Sequence, residues 1–297
     1  MESKLNVLFL GKLPEEAWTA RHRPPMEVLL SEAVLRRELM VHFQPQYEVN
    51  CGQGSGVEAL ARWTLADGLE ISPMVFIPFA EGTGRICALG AWVLEHACAT
   101  VGAWGDFDGH APSLSVNVST HQINEEFCDV VKRILERTGF AGERLELEIT
   151  ESALIANAEL AIRCCERWRE LGVHIAVDDF GTGYSSLSYL SRLPVDRLKL
   201  DKSFVHRMIA EKKTAAIVRS VLALGKDLGV AVLVEGIETE AQFAMLEQMG
   251  CEQVQGFLLA KPVPANEARA LLLMPWGARF APVFRPERVL DRGLHAA

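Results

Sequence analysis

The sequence predicts an α/β fold, a TIM-like β/α barrel with a hairpin at its start, on three observations. Short apolar strand-like runs alternate with helical stretches along most of the 297 residues, and such alternation implies a parallel sheet wrapped by helices. The alternating part is about 240 residues long, which suits one closed barrel better than two open sheets. The first two strand-like runs are joined only by Cys51-Gly52-Gln53-Gly54-Ser55-Gly56. That linker is short and rich in glycine, so it reads as a hairpin. No helix opens after it, which excludes a nucleotide-binding glycine loop.

Each element follows from its own pattern. Residues 1–27 read as an N-terminal extension or linker, with a lone strand at Leu5–Leu10 and a break at Arg21-His22-Arg23-Pro24-Pro25. From Val28 to Leu39 apolar residues recur at helical spacing. Met40–Tyr47 and Val57–Trp63 are the two hairpin strands, and a helical stretch runs from Pro73 to about Trp104. The strand Leu114–Val118 leads to a helix near Glu125–Thr138, and Leu145–Ile149 to a helix near Ala158–Leu171. Val173–Val177 is a short, buried strand, followed by a turn and a short helix from Ser185. The strand Arg197–Leu200, the helix Lys213–Leu228 and the strand Val230–Val234 come next. The helix Glu240–Met249 and the short strand Gln253–Gly256 complete the alternation. Residues 28–274 thus form the domain, and 275–297 a tail in which large apolar residues are scattered among prolines and arginines.

Composition removes several classes of function. The formal net charge of −9 disfavours a nucleic acid polymer, which needs a basic surface. The seven cysteines are odd in number and none forms Cys-x-x-Cys, so they read as small hydrophobes in a reducing compartment. Val7–Leu10 is too short for the apolar part of a signal peptide and charged residues follow at once. No uncharged apolar run approaches the ~18 residues of a membrane span. The expected location is cytoplasmic, with no membrane partner.

Polar residues fall at the ends of the buried strands: Glu58, Asn117, Glu148, Asp178 with Asp179, Lys199 with Asp201, Glu235 and Gln255. Any one of them is explained more plainly as the residue at which a strand stops. Seven strands ending this way is a different matter, because strand ends of a barrel meet at one face, where active sites are built. A ring of acids there repels itself unless cations are present. Oxygen donors without cysteine or histidine suit Mg²⁺ or Mn²⁺. Two such ions form a device for phosphodiester cleavage. Lys199 would position or deprotonate the attacking water or neutralise charge in the transition state; its plainer role is to satisfy buried carboxylates.

Seven ordered motifs then point to a family. They are Glu58-Ala59-Leu60 with Arg62-Trp63, Asn117-Val118-Ser119, Glu148-Ile149-Thr150-Glu151, Asp178 through Leu187, Leu198-Lys199-Leu200-Asp201, Glu235-Gly236-Ile237-Glu238-Thr239 and Gln255-Gly256-Phe257. The chain resembles the EAL-domain cyclic di-guanylate (c-di-GMP) phosphodiesterases from about Ser31 to Leu273. The resemblance implies a barrel whose first strand is antiparallel, in line with the hairpin. It also implies two ions, Mg²⁺ or Mn²⁺, with Glu58, Asn117, Glu148 and Asp178 on the first and Asp178 and Asp179 on the second. Asp201 would support the second ion, and Glu235 and Gln255 would complete the site. It assigns Lys199 to the attacking water, and Gln44, Leu60, Arg62 and Gln255 to the ligand, with Arg62 on a phosphate. Glu151 and Glu238 match residues that support the Asp178–Leu187 loop and its surroundings. Gln46, where the family usually has an apolar residue after the Gln-Pro pair, Thr64-Leu65 and Val234 depart from the family's usual residues without removing a metal ligand; they bear on guanine fit or strand packing.

The resemblance further implies a homodimer and hydrolysis of one phosphodiester bond of c-di-GMP to the linear dinucleotide pGpG, with control by a regulatory protein partner or by dimerisation. Two alternatives compete. One is a receptor or protein-binding module of the same fold; such relatives usually lose metal ligands or alter the loop, and this chain keeps both. The other is a barrel enzyme acting on a sugar phosphate, which wants a late glycine-rich phosphate loop; only Gly256 is on offer in Val254–Lys261.

Overall fold

The computed structural model describes residues 26–33, 38–106, 111–182 and 193–279. The expected strand at Leu5–Leu10, the helix from Ser185 and all of the tail beyond Arg279 lie outside the described residues. Nine strands are present among the described residues: β1 Leu39–Glu48, β2 Gly54–Thr64, β3 Glu70–Ile71, β4 Ser113–Val118, β5 Leu145–Thr150, β6 His174–Phe180, β7 Arg197–Leu200, β8 Ala231–Val234 and β9 Gln253–Val254. Eight of them close a barrel in the order β1-β9-β8-β7-β6-β5-β4-β2, with β1 pairing back to β2 and β3 appended to β2. β1 is antiparallel to both neighbours, whereas β2 and β4 through β9 run parallel. The barrel with an antiparallel first strand is therefore the observed fold.

Helices α1 Met26–Ala33, α2 Pro73–Gly82, α3 Ile86–Gly102, α4 Glu125–Thr138, α5 Glu151–Ala156, α6 Ala158–Glu170, α7 Lys202–Met208, α8 Lys212–Leu228, α9 Glu240–Gln248 and α10 Ala265–Leu272 accompany the strands. Helix α4 shows why such segments form. Asn124 Oδ1 accepts from Phe127 N at 2.8 Å, Glu125 and Glu126 occupy the first turn, and Gly139 closes the helix at φ 67°. These are the cap, dipole and left-handed stop of an amphipathic helix. Its buried Phe127, Cys128, Val131, Ile134 and Leu135 form one stripe, and each large side chain removed from water contributes about 1.5–3 kcal/mol. Five of the seven cysteines are buried; Cys51 and Cys87 are exposed. Among the described residues no helix is long and apolar enough to cross a membrane.

The structure departs from the sequence expectation in several places. The first helix does not run to Leu39, because Leu39 pairs with Trp63 in the hairpin ladder. The stretch Pro73–Trp104 is two helices. Gly84 turns at φ 70° and Arg85 N reaches back to Ala80 O at 2.8 Å, a left-handed stop inside an otherwise helical apolar period. Strand β6 continues past Val177 to Phe180 and carries both aspartates, with a shift of register between Val177 and Phe180. Helices α5, α7 and α10 and strand β3 are additions that local apolar periodicity was too short to announce.

Candidate active site

The parallel strands are buried on both faces, and alternation decides which residues enter the barrel. In β5, Leu145, Leu147 and Ile149 take one face and Glu146 and Glu148 the other; in β7, Lys199 points opposite to Leu198 and Leu200. Glu58, Leu60 and Arg62 likewise share one face of β2. Lys199 is 1% exposed, and its Nζ is the meeting point of the upper interior. It lies 2.7 Å from Glu148 Oε2, 2.7 Å from Glu235 Oε1, 3.6 Å from Asp178 Oδ1 and 3.8 Å from Glu58 Oε1.

One ammonium faces four carboxylates, and their proton affinities diverge accordingly. Burial pushes Glu235 up to about 7 despite Lys199, with Asp178 and Glu58 adding to the rise. Burial also carries Glu148 well above the usual carboxylate range, against the pull of Lys199. Neither oxygen of Glu148 accepts a well-directed hydrogen bond. Glu58 goes the other way: burial is outweighed by Lys199 and by the amides of Gln255 and Asn117. Gln255 Nε2 donates to Glu58 Oε2 at 2.6 Å and Asn117 Nδ2 to Oε1 at 2.8 Å. For Lys199, burial favours the neutral form but Asp178, Glu148, Glu235 and Glu58 together hold it as an ammonium.

The two adjacent aspartates sit on strained backbone. Asp179 has φ 55° and is the one non-glycine residue with positive φ among those described; its N–H donates to Asp178 Oδ1 at 2.9 Å. Such a conformation costs on the order of 1–3 kcal/mol and is kept where surroundings demand it. Burial, Asp178 and Asp201 raise the Asp179 carboxyl. Asp201 itself caps α7, its Oδ1 accepting from Ser203 N at 2.9 Å. Glu151 Oε2 accepts from Gly181 N at 3.2 Å, at the start of the loop whose residues 183–192 lie outside those described. Glu238 stands apart from the acids, with Oε1 3.7 Å from His206 Nε2 on α7. Gln44 donates to Ala260 O and accepts from Gln255 Nε2, both at 3.1 Å. Arg62 donates to Ala61 O at 2.8 Å and, like Leu60, is only partly buried.

Among the described residues no group of three or more histidines, cysteines, aspartates or glutamates is spaced as a ready metal cage; Lys199 Nζ stands among the acids instead. The donor set nevertheless fits hard divalent cations. All the side chains offer oxygen, the acids outnumber the single ammonium, and the Glu148 oxygens lack directed donors.

A second polar layer lies beneath, built from residues that the strand-end pattern does not include. Glu146 Oε1 accepts from Arg197 Nη1 at 2.9 Å and from Ser115 Oγ at 2.8 Å. Gln46, 1% exposed, joins that pair to Gln255. Each member stands two positions from a residue of the upper cluster or its neighbours: Glu146 from Glu148, Arg197 from Lys199, Ser115 from Asn117, Gln46 from Gln44. The period of two was the signal that could have found them.

Comparison with known proteins agrees with this geometry. The sequence model of the EAL domain family matches residues 28–262. The bifunctional diguanylate cyclase/cyclic di-GMP phosphodiesterase MucR of Pseudomonas aeruginosa is 40% identical over 260 residues, covering 86% of this chain and 38% of MucR. The cyclic di-GMP phosphodiesterase NbdA of the same species is 39% identical over 240 residues, 80% of this chain and 31% of NbdA. The chain therefore spans about a third of the length of these curated relatives. Among solved structures, the MucR phosphodiesterase in complex with c-di-GMP superposes with TM-score 0.77 at 40% identity, covering 82% of this chain and 98% of that one.

Proposed function

The chain belongs to the EAL domain family, and from that premise we propose that it is a metal-dependent phosphodiesterase that hydrolyses c-di-GMP to linear pGpG. The observation that carries the proposal is the excess of carboxylates, Glu58 and Glu148 buried and Asp178 and Glu235 half-buried, around the buried Lys199 at the upper strand ends. That arrangement is costly in an empty site and favourable around cations. Glu58, Asn117, Glu148 and Asp178 would hold one Mg²⁺ or Mn²⁺, and Asp178 and Asp179, supported by Asp201 and with Glu235 nearby, a second. Bound there, the two ions supply Lewis acidity toward the phosphate and lower the pKa of the attacking water.

The chain's own residues complete the reaction. Water adds at phosphorus, one P–O bond to a ribose oxygen breaks, and that oxygen leaves with a proton. Lys199 Nζ is assigned to the attacking water. Its proton is held by carboxylates; once they are engaged by cations, burial favours the neutral amine. Arg62 pairs with a phosphate, Gln44, Leu60 and Gln255 seat the dinucleotide, and Glu151 anchors the loop at Gly181. Glu238 supports α7 through His206. In this reading residues 28–274 are the phosphodiesterase domain, 1–27 an extension and 275–297 a tail, working in the cytoplasm as a homodimer under a regulatory partner.

One observation favours the second reading, a module that binds c-di-GMP without turning it over: Lys199 Nζ sits among the acids, where the described residues form no ready metal cage. Incubation of the purified protein with c-di-GMP and Mg²⁺ or Mn²⁺, with a chelator control and a binding titration, separates the two. Metal-dependent appearance of pGpG by chromatography, lost in Glu58→Ala, is the expected result. Binding without product assigns the protein to the receptor class.

A further inference from the structure

The lower layer has a direction. Arg197 is a pure donor, so where its Nη1 meets Gln46 at 3.4 Å it must face the oxygen of that amide. Ser115 independently requires the same orientation. Its hydroxyl hydrogen is committed to Glu146 Oε1 at 2.8 Å, leaving a lone pair for Gln46 Nε2 at 3.4 Å. The Gln46 amide is therefore held with Nε2 toward Gln255, where it donates to Oε1 at 3.1 Å. Gln255 in turn has only its Nε2 left, which donates to Glu58 Oε2 at 2.6 Å and to Gln44 Oε1 at 3.1 Å; Gln44, whose own Nε2 is committed to Ala260 O, requires the same turn of Gln255. All these side chains are buried apart from the partly exposed Arg197, so water does not stand in for a missing partner.

We propose that Gln46 is a positioning residue: the Glu146–Arg197 ion pair sets the turn of the Gln46 amide, and Gln46 holds the Gln255 oxygen from below while Gln44 takes its N–H, so that together they keep N–H rather than C=O toward Glu58. Without Gln46 the buried Gln255 oxygen loses its donor, and the amide is held only by its two acceptors, Gln44 and Glu58. The relay thus keeps the Glu58 plane fixed between Gln255 and Asn117. The kinetic consequence rests on the phosphodiesterase reading; the orientation itself does not.

The test is a cycle of melting temperatures on the metal-free protein, which needs neither cation nor substrate. Q46E keeps the shape and the bond to Arg197 but offers Gln255 only acceptors. Gln255 then has acceptors on both sides, and it can donate to the new carboxylate only by turning away from Gln44 and aiming its oxygen at Glu58. Residues 46 and 58 share no hydrogen bond, yet Q46E and E58Q are expected to be strongly non-additive, because the amide that E58Q introduces supplies the donor the turned Gln255 needs. In a Q255L background that coupling disappears, whereas a direct effect of charge between positions 46 and 58 would persist. Should Q46E fail to fold, Q46M runs the same cycle with a smaller coupling.

Kinetically, Q46E is expected to lower kcat/KM for c-di-GMP and the affinity for Mn²⁺ by about 10–100-fold, the usual effect of disturbing a partner of a ligand. Q46M should cost less than Q46E. Additive melting temperatures, or coupling that survives Q255L, overturns the relay. Coupling lost in Q255L, in a protein that never produces pGpG, leaves the relay standing and removes the phosphodiesterase reading instead.

Discussion

In the lower layer of the barrel interior one guanidinium meets one carboxylate, with glutamine and serine around them; among the fully buried side-chain atoms of these four residues Arg197 Nε alone goes without a partner. In the upper layer, two residues or about 6.6 Å further along the strands, one ammonium faces four carboxylates. The same barrel thus buries charge in balance at one level and out of balance at the next. A balanced buried pair stabilises chiefly against its own disruption, since removing either partner strands the other. An unbalanced cluster waits for a cation, and its cost in the empty state is the signature of a site.

That contrast can be broken most severely from above. Glu148→Gln removes the acid with the poorest hydrogen bonding. Turnover of c-di-GMP should drop by about 10²–10³-fold, the scale of losing one preorganised electrostatic group, while the metal-free protein melts no lower than wild type. Near-normal turnover in that variant would take Glu148 out of the site.

From below the outcome should be reversed. Arg197→Met leaves Glu146 buried without its partner and is expected to cost about 3–5 kcal/mol in urea unfolding. Adding Glu146→Gln should recover much of it. If Arg197→Met melts like wild type, the lower layer is not the stabilising one.

The pH dependence of the metal-free protein sharpens the difference. Glu235 has its folded pKa raised to about 7, so between the ordinary glutamate range and about 7 the native state binds more protons than the unfolded one. Its contribution is fully present below the unfolded pKa and fades as pH rises through that window. Thermal melts should therefore show stability falling toward pH 7, and saturating Mn²⁺ should flatten or reverse the slope by favouring ionised acids. A slope indifferent to Mn²⁺ would separate the cluster from metal binding.

The smallest effect concerns backbone. Asp179→Gly relieves the φ of 55° and should gain about 1 kcal/mol of stability while turnover falls. A loss of stability on chemical denaturation would show that the Asp179 side chain holds the turn rather than being held in it.

Much of this site was legible along the chain. Glu58, Glu148, Asp178, Lys199 and Glu235 stand out because seven buried strands in one chain end on polar residues, mostly acids, although any one such end is ordinary. Local pattern also sufficed for α4, whose cap, stripe and terminal Gly139 agree with one another. It failed at Gly84, where apolar residues on both sides continued the period across a stop, and at Leu39, where ladder pairing with Trp63 overrode helical spacing. For a different reason, Ser115, Glu146 and Arg197 went unread and Gln46 stood out only as a polar residue where the family has an apolar one. They lie inside their strands, where a polar residue announces burial but not a partner.

By itself, then, the sequence determined the order of the strands, the antiparallel start, the oxygen-only chemistry of the upper rim and the family. Those depend on alternation, turn length and residue type, all written along the chain. The tertiary structure alone decided that Lys199 stands among four acids, that Glu58 is satisfied where Glu148 is not, and which amide faces which carboxylate. These are distances across a closed barrel, between residues as far apart in the chain as Gln46 and Gln255. They exist only once closure has set the stagger of all eight strands.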